Sequence, residues 1–199
     1  MVAAAIEASP AQNPGRIVVF RTDNYQVLAN REVGALPDMV TFSPDGELII
    51  SANEGEPNSG YTNDPVGSIS ILDIKQGFAV TTLTFESFAG EEASLKARGL
   101  RIFGKNASFA QDIEPEYIAV SANSNTAWVT LQENNALAVI DIASATVLQI
   151  IPLGLKDHTK PIVTSLETFP FGPMPVLDTT TGGQVMYLGG FSGLAFEGY

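Results

Sequence analysis

Two overlays of the chain on itself constrain its fold more than any other feature of the sequence. Arg16–Gly34 (RIVVFRTDNYQVLANREVG) lies over Ala136–Gly154 (ALAVIDIASATVLQIIPLG) without a gap, placing Ile17-Val18-Val19-Phe20 on Leu137-Ala138-Val139-Ile140 and Val33-Gly34 on Leu153-Gly154. Pro37–Phe42 (PDMVTF) lies over Pro115–Val120 (PEYIAV), and after one extra residue Glu47–Glu54 (ELIISANE) lies over Thr126–Glu133 (TAWVTLQE). A further copy of one strand is Ile69–Ile74, whose Asp-Ile ending recurs at Asp141-Ile142. Self-similarity at a fixed period means a repeat architecture in which each unit buries its apolar face against the next.

The repeating unit reads as four strands. Strand A is Met39–Phe42 or Tyr117–Val120, and strand B is Glu47–Ala52 or Thr126–Leu131. Strand C is Ser68–Ile74 or Leu137–Ile142, and strand D is Phe78–Phe85 or Thr146–Leu153. These are short β-branched and aromatic runs bounded by turn residues, as antiparallel strands are. Ser43-Pro44-Asp45-Gly46 joins A to B, with Pro preset for the first inner position of a turn and Gly free to take positive φ. Tandem four-stranded units predict an all-β fold, a partial β-propeller of antiparallel blades, and the gapless overlay favours this over a sandwich or a chance meander.

The predicted organisation runs as follows. Residues 1–15 form an N-terminal segment, and residues 16–154 form the partial propeller, half a blade followed by two blades. An insertion at 86–112 carries one short helix at Glu91–Arg98, with Glu92 and Lys96 paired at i,i+4 and Gly99 placed to end it. Residues 155–183 are expected to be a connector, with a possible strand start at Pro161-Ile162-Val163 and a Pro- and Gly-rich run at Phe169–Pro175. Residues 184–199 are expected to begin a second, truncated β domain. Because propellers close with 4 to 8 blades, the chain is expected to be part of a longer polypeptide.

Composition narrows the partners. A formal net charge of -12 argues against a nucleic-acid backbone, which needs clustered Lys and Arg, and leaves a protein, carbohydrate or small-molecule ligand. With no Cys, disulfides and thiolate metal sites are excluded. No apolar run approaches the length of a membrane span. Met1–Pro10 has small residues of the kind found around a signal-peptidase site, but no basic n-region or long apolar h-region.

The acidic positions repeat with the strands. Asp38 matches Glu116 at the entrance to strand A, and Glu54 matches Glu133 just after strand B. Equivalent positions in a propeller lie on rings about its axis, so these carboxylates are expected to share a funnel and hold a hard cation such as Ca2+, which takes 6 to 8 oxygens. The loop Asn53–Asp64 adds Glu56 and Asp64 to the candidate ligands, without EF-hand spacing. The competing account is that the acids accept loop hydrogen bonds or solvate the rim.

Nucleophile and phosphate motifs are incomplete. Gly190-Phe191-Ser192-Gly193-Leu194 has Leu where a nucleophile elbow needs Gly. His158 is the sole His, on a polar stretch. Gly99–Asn106 outlines a phosphate loop but ends in Asn where Ser or Thr is needed, with no βαβ unit around it. No catalytic or cofactor-binding residue is assigned.

Four stretches carry a family resemblance: Ser51-Ala52-Asn53-Glu54-Gly55-Glu56, Arg101-Ile102-Phe103-Gly104, Glu114–Ala119 and Leu131–Ala136. Over about residues 15 to 158 the chain resembles the choice-of-anchor I domain, a YVTN-type, WD40-like seven-bladed propeller of bacterial secreted or surface proteins, some of them alkaline phosphatase-like or mesenchyme-specific cell surface glycoprotein-like. The tail Gly190–Gly198 resembles the opening of the esterase-like domain of phytase-type proteins. The resemblance implies an extracellular or periplasmic setting, and a repeat without any complete catalytic constellation favours a non-catalytic binding or scaffold module. The alternative it leaves open is part of a Ca2+-dependent phosphoester hydrolase, in which acidic residues hold metals that bridge to substrate phosphate.

Overall fold

The structure, a computed structural model, describes residues 1–155 and the strands at 176–179 and 185–187. Residues 1–156 form one compact unit and residues 157–199 a second. The first unit is built from three antiparallel sheets in tandem. The first sheet contains β1 (Val2–Ile6), β2 (Pro14–Phe20) and β3 (Val27–Ala35), in that order. The second contains β4 (Pro37–Phe42), β5 (Leu48–Asn53), β6 (Ser68–Asp73) and β7 (Ala79–Thr84). The third contains β8 (Ile118–Val120), β9 (Thr126–Leu131), β10 (Ala136–Asp141) and β11 (Thr146–Pro152).

Every strand pairs with its sequence neighbour, so each sheet is a meander, as a propeller blade is. The first overlay matches β2 and β3 to β10 and β11, and the second matches β4 and β5 to β8 and β9, so the three sheets repeat strand for strand. The A-to-B turn forms as its residues dictate, with Gly46 at φ +73° and its N–H donating to the Ser43 carbonyl at 2.8 Å. Neighbouring blades touch strand to equivalent strand: β4 meets β8, and β7 meets both β3 and β11. The architecture is thus all-β, a partial propeller of antiparallel blades with one short helical insertion.

Burial follows from this stacking. In β5 and β6 nearly every residue is buried, because the second blade has a sheet on each side. Successive side chains on a strand point to opposite faces. Ile49 and Leu72 accordingly pack with Ile17, Val19, Ala29 and Val33 of the first sheet. Ile50, Ala52, Ile69 and Ile71 pack with Val129, Leu131, Ala138 and Ile140 of the third. β10 alternates buried and half-buried positions, and Trp128 and Leu148 in its flanking strands are 42% and 57% exposed. The apolar groups so removed from water are the main source of stability, at about 25 cal/mol per Å² buried.

One polar patch sits inside this core. Asn53 Nδ2 donates to Ser68 Oγ at 3.2 Å and Ser70 Oγ at 2.9 Å, satisfying buried groups that would otherwise destabilise the blade.

Two elements differ from the sequence expectation. The N-terminal segment contributes β1, which pairs with β2 from Val2↔Phe20 to Ile6↔Arg16 and stands in the B position of the first blade. Its sequence, VAAAI, is Ala-rich, and Ala is a poor strand former, so only the neighbouring strand reveals it. Within the stretch expected as a connector, Val176–Thr179 forms β12, paired antiparallel with β13 (Val185–Tyr187) in the second unit. Pro161-Ile162-Val163 and Phe169–Pro175 lie outside the described residues.

The insertion folds as a 3-10 turn, Glu86–Glu91, followed by α1, Glu92–Ala97. Glu92 and Lys96 pair at 3.4 Å, and Gly99, at φ +109°, ends the helix. Leu95, Leu100, Phe109 and Ile113 anchor the insertion in the core shared by the second and third blades. Among the described residues no helix is long and apolar enough to cross a membrane.

Candidate functional site

Three of the six acidic candidates converge. Glu54 directly follows β5, Glu133 lies in the turn after β9, and Glu116 precedes β8. The start of an A strand and the end of its antiparallel B partner lie at the same end of a blade. Stacking the second blade on the third therefore brings all three glutamates to one rim. One carboxylate oxygen from each lies within 4.8 Å of the others, and all three side chains are partly buried. The backbone beneath is fixed: the Glu116 N–H donates to the Thr130 carbonyl at 3.0 Å and the Glu54 N–H to the Leu36 carbonyl at 2.8 Å.

This crowding disfavours ionisation. Burial, followed by repulsion from Glu56, Asp38, Glu116 and Glu114, pushes the Glu54 carboxyl up to about 8. Glu116 is pushed up to about 7, by burial first and then by the neighbouring charge of Glu133. Two ionised carboxylates cannot donate to one another, and as such Glu133 Oε2 is buried with no hydrogen-bond partner. A proton held on Glu116 relieves the pair. So does a cation bound between them, since an opposite charge favours the ionised form.

The other candidates stand around this centre. Asp38, in β4, is exposed and acts on Glu54 and Glu116 as a neighbouring charge. Glu56 is likewise exposed and adds to the same field. Asp64 is not brought to the trio. It lines a cavity between the Asn53–Gly67 loop and the insertion, which Glu133 also lines, and there burial and then Asp112 raise its carboxyl above its ordinary value.

In the phosphate-loop outline two amides are already used. Phe103 N–H and Gly104 N–H donate to the two Asp112 oxygens at 2.6 and 2.7 Å. Gly190–Leu194 and His158 lie outside the described residues.

Sequence reasoning missed the residues that hold this rim together. Asn134, fully buried, accepts the Glu114 N–H at 3.1 Å and donates to the Arg101 carbonyl at 3.1 Å and to the Asp112 carbonyl. One side chain thus ties the insertion to the turn that carries Glu133. Asn135, at φ +54°, donates to the Gly99 and Gly154 carbonyls at 3.0 and 2.8 Å, tying the end of the insertion's helix to the end of the third blade. Glu114 is a further half-buried acid, pushed up to about 7 by burial and then by Glu133, Asp112, Glu56 and Asp64. The signal for the asparagines was the Asn-Asn pair in a B-to-C turn, within the Leu131–Ala136 stretch that carries the family resemblance.

Comparison with known proteins finds a family match and a likeness of fold. The family model for the choice-of-anchor I domain matches residues 1–167. No curated protein matches the chain. Among solved structures, Kuenenia stuttgartiensis hydrazine synthase is similar in fold, with a TM-score of 0.51 and 12% identity, over 76% of this chain and 47% of that one. The β-propeller domain of the Trilobed protease from Pyrococcus furiosus aligns at a TM-score of 0.38 and 13% identity, over 69% of this chain and 34% of that one. The chain spans less than half the length of either structure.

Proposed function

We propose that the chain, which belongs to the choice-of-anchor I domain family, is a non-catalytic β-propeller binding or scaffold module of an exported or surface protein, with a Ca2+ ion seated on Glu54, Glu116 and Glu133 between its second and third blades. The observation that carries the reading is the meeting of these glutamates from two successive blades within 4.8 Å. Ligand oxygens lie about 2.3 to 2.6 Å from Ca2+, so oxygens on opposite sides of one ion stand about 5 Å apart, and the trio fits that span. Mg2+ is smaller, with ligands at about 2.0 to 2.1 Å in a strict octahedron, and usually keeps several of its waters rather than taking a cage of protein carboxylates. Hard carboxylate oxygens and the unpartnered Glu133 Oε2 are the donor set such an ion takes. Bound Ca2+ supplies positive charge that lets the three carboxylates ionise together. The chain's own part is to hold them on adjacent blades, so that binding clamps the rim and fixes the loops that face a partner.

The test is thermal unfolding after EDTA treatment, with and without added Ca2+. The Ca2+ form is expected to melt higher, because a ligand that binds only the folded state stabilises it by mass action. Glu54→Gln and Glu133→Gln are each expected to abolish the increment. A melting temperature indifferent to Ca2+, or an increment that survives both substitutions, refutes the metal seat. The phosphoester-hydrolase alternative uses the same ion and predicts hydrolysis of a simple phosphomonoester that the two substitutions abolish. The binding-module reading predicts none.

A further inference from the structure

The cavity beside the trio has about 430 Å3 of space, in the range of a small-ligand pocket. One wall is the Asn53–Gly67 loop, which contributes Tyr61 and Asp64, and the other is the insertion, which contributes Phe103 and Lys105. The walls are fastened to each other by Gln111, whose Nε2 donates to the Asp64 backbone carbonyl at 2.6 Å. The aromatic rings are left largely in solvent, Tyr61 at 52% and Phe103 at 69% exposed. At the cavity lining, apart from the trio, Asp64 Oδ1 is buried without a hydrogen-bond partner, and Glu114 lies between the same walls. Buried acceptors of this kind ask for a donor.

The geometry points to a guanidinium-binding site in this cavity. A bare ion is not what these acceptors fit. Among the described residues the one trio of carboxylates close enough to share an ion is Glu54, Glu116 and Glu133, so Asp64 and Glu114 do not close around a single point with it. A guanidinium spreads five N–H donors over a plane, reaches separated carboxylates at once, and stacks on aromatic faces. The cavity offers both halves of that recognition: acids on its lining and one aromatic ring from each wall. The same group is carried by a free ligand such as agmatine or by an arginine side chain of a protein partner.

The inference is tested by titrating the full chain, held in saturating Ca2+, with agmatine and separately with a blocked Gly-Arg-Gly peptide, at constant ionic strength and with NMR or calorimetric readout. Saturable binding of either is expected, and the tighter of the two identifies the source. Asp64→Asn should weaken it about tenfold, the effect of losing one charge-assisted hydrogen bond, and Phe103→Ala about two- to fivefold, that of losing a cation–π contact at an exposed ring. Tyr61→Ala, at an exposed position, serves as a second aromatic test should Phe103→Ala fold poorly. The metal seat is read separately: Asp64→Asn should keep the Ca2+-dependent melting increment, and Glu54→Gln should lose that increment while retaining agmatine binding. Absence of saturable binding, equal affinity in the variants, or a Gly-Lys-Gly peptide that binds as tightly overturns the guanidinium assignment, whatever happens to Ca2+.

Discussion

The crowded glutamates predict an inverted pH dependence of stability in the metal-free protein. A carboxyl whose value in the folded state lies above its unfolded value binds protons more tightly when folded. Its stabilising contribution is therefore complete below the unfolded value and is lost as pH rises through the folded one. For Glu54 the window runs from 4.5 to about 8, and Glu114 and Glu116, each raised to about 7, act in the same direction. Undiscounted, the Glu54 displacement corresponds to between 4 and 5 kcal/mol at about 1.4 kcal/mol per pH unit. The group is only partly buried and solvent screens its neighbours, so about 2 kcal/mol is the usable figure.

Glu54→Gln removes that cost while keeping the side chain's shape. In EDTA the variant should match the parent near pH 4.5 and exceed it by about 2 kcal/mol at pH 9, or about 4 to 8 °C in melting temperature for a unit of this size. Urea unfolding at both pH values measures it. With saturating Ca2+ the order should reverse, because the ion needs the Glu54 charge that the substitution removes. A pH-independent difference in EDTA, or a parent more stable than the variant at pH 9, refutes the reasoning that these carboxylates are mutually destabilised.

Two further outcomes follow from the rim. Asn134→Ala deletes hydrogen bonds that join Arg101, Asp112 and Glu114 to the B-to-C turn, leaving buried groups unpaired. It should cost about 2 to 4 kcal/mol in urea unfolding and release amide protection in the insertion before the blades. Gly67→Ala places a methyl against the Ile113 carbonyl, well inside contact, and 2.8 Å from Pro115 Cδ. It should destabilise by about 1 to 3 kcal/mol and weaken Ca2+ binding by moving the Asn53–Gly67 loop away from the third blade.

Much of the fold was legible because the repeat carries strand period and turn chemistry together. The Ser43–Gly46 turn, the Asp-Ile ends of the C strands and the Gly99 helix stop are local signals, and each element they bound formed where its residues direct. β1 was not legible, since Ala-rich VAAAI has no periodicity of its own and becomes a strand through the edge that β2 offers. β12 was hidden by the Pro and Gly residues that precede it, which weigh toward a connector whatever follows.

The site was legible to the extent that it repeats. Glu54 and Glu133 were visible as equivalents after the B strands, and Glu116 as the partner of Asp38, because a ring of blades maps equal sequence positions to equal places. The fourth member of that set, Asp38, does not join the trio: stacking places the second blade's B end against the third blade's A start, and Asp38 at the second blade's own A start stays exposed as a neighbouring charge. That offset is a property of how two sheets pack, and no single repeat contains it. Asn134 and Glu114 lie still further from sequence reasoning. Their roles depend on an insertion without a counterpart in the other blade, so the overlay that exposed the glutamates had nothing to lay them against. A repeat therefore reveals the groups that symmetry multiplies and conceals the ones that break it, and here the symmetry-breaking insertion supplies one wall of the cavity and the asparagine clamp that positions Glu133.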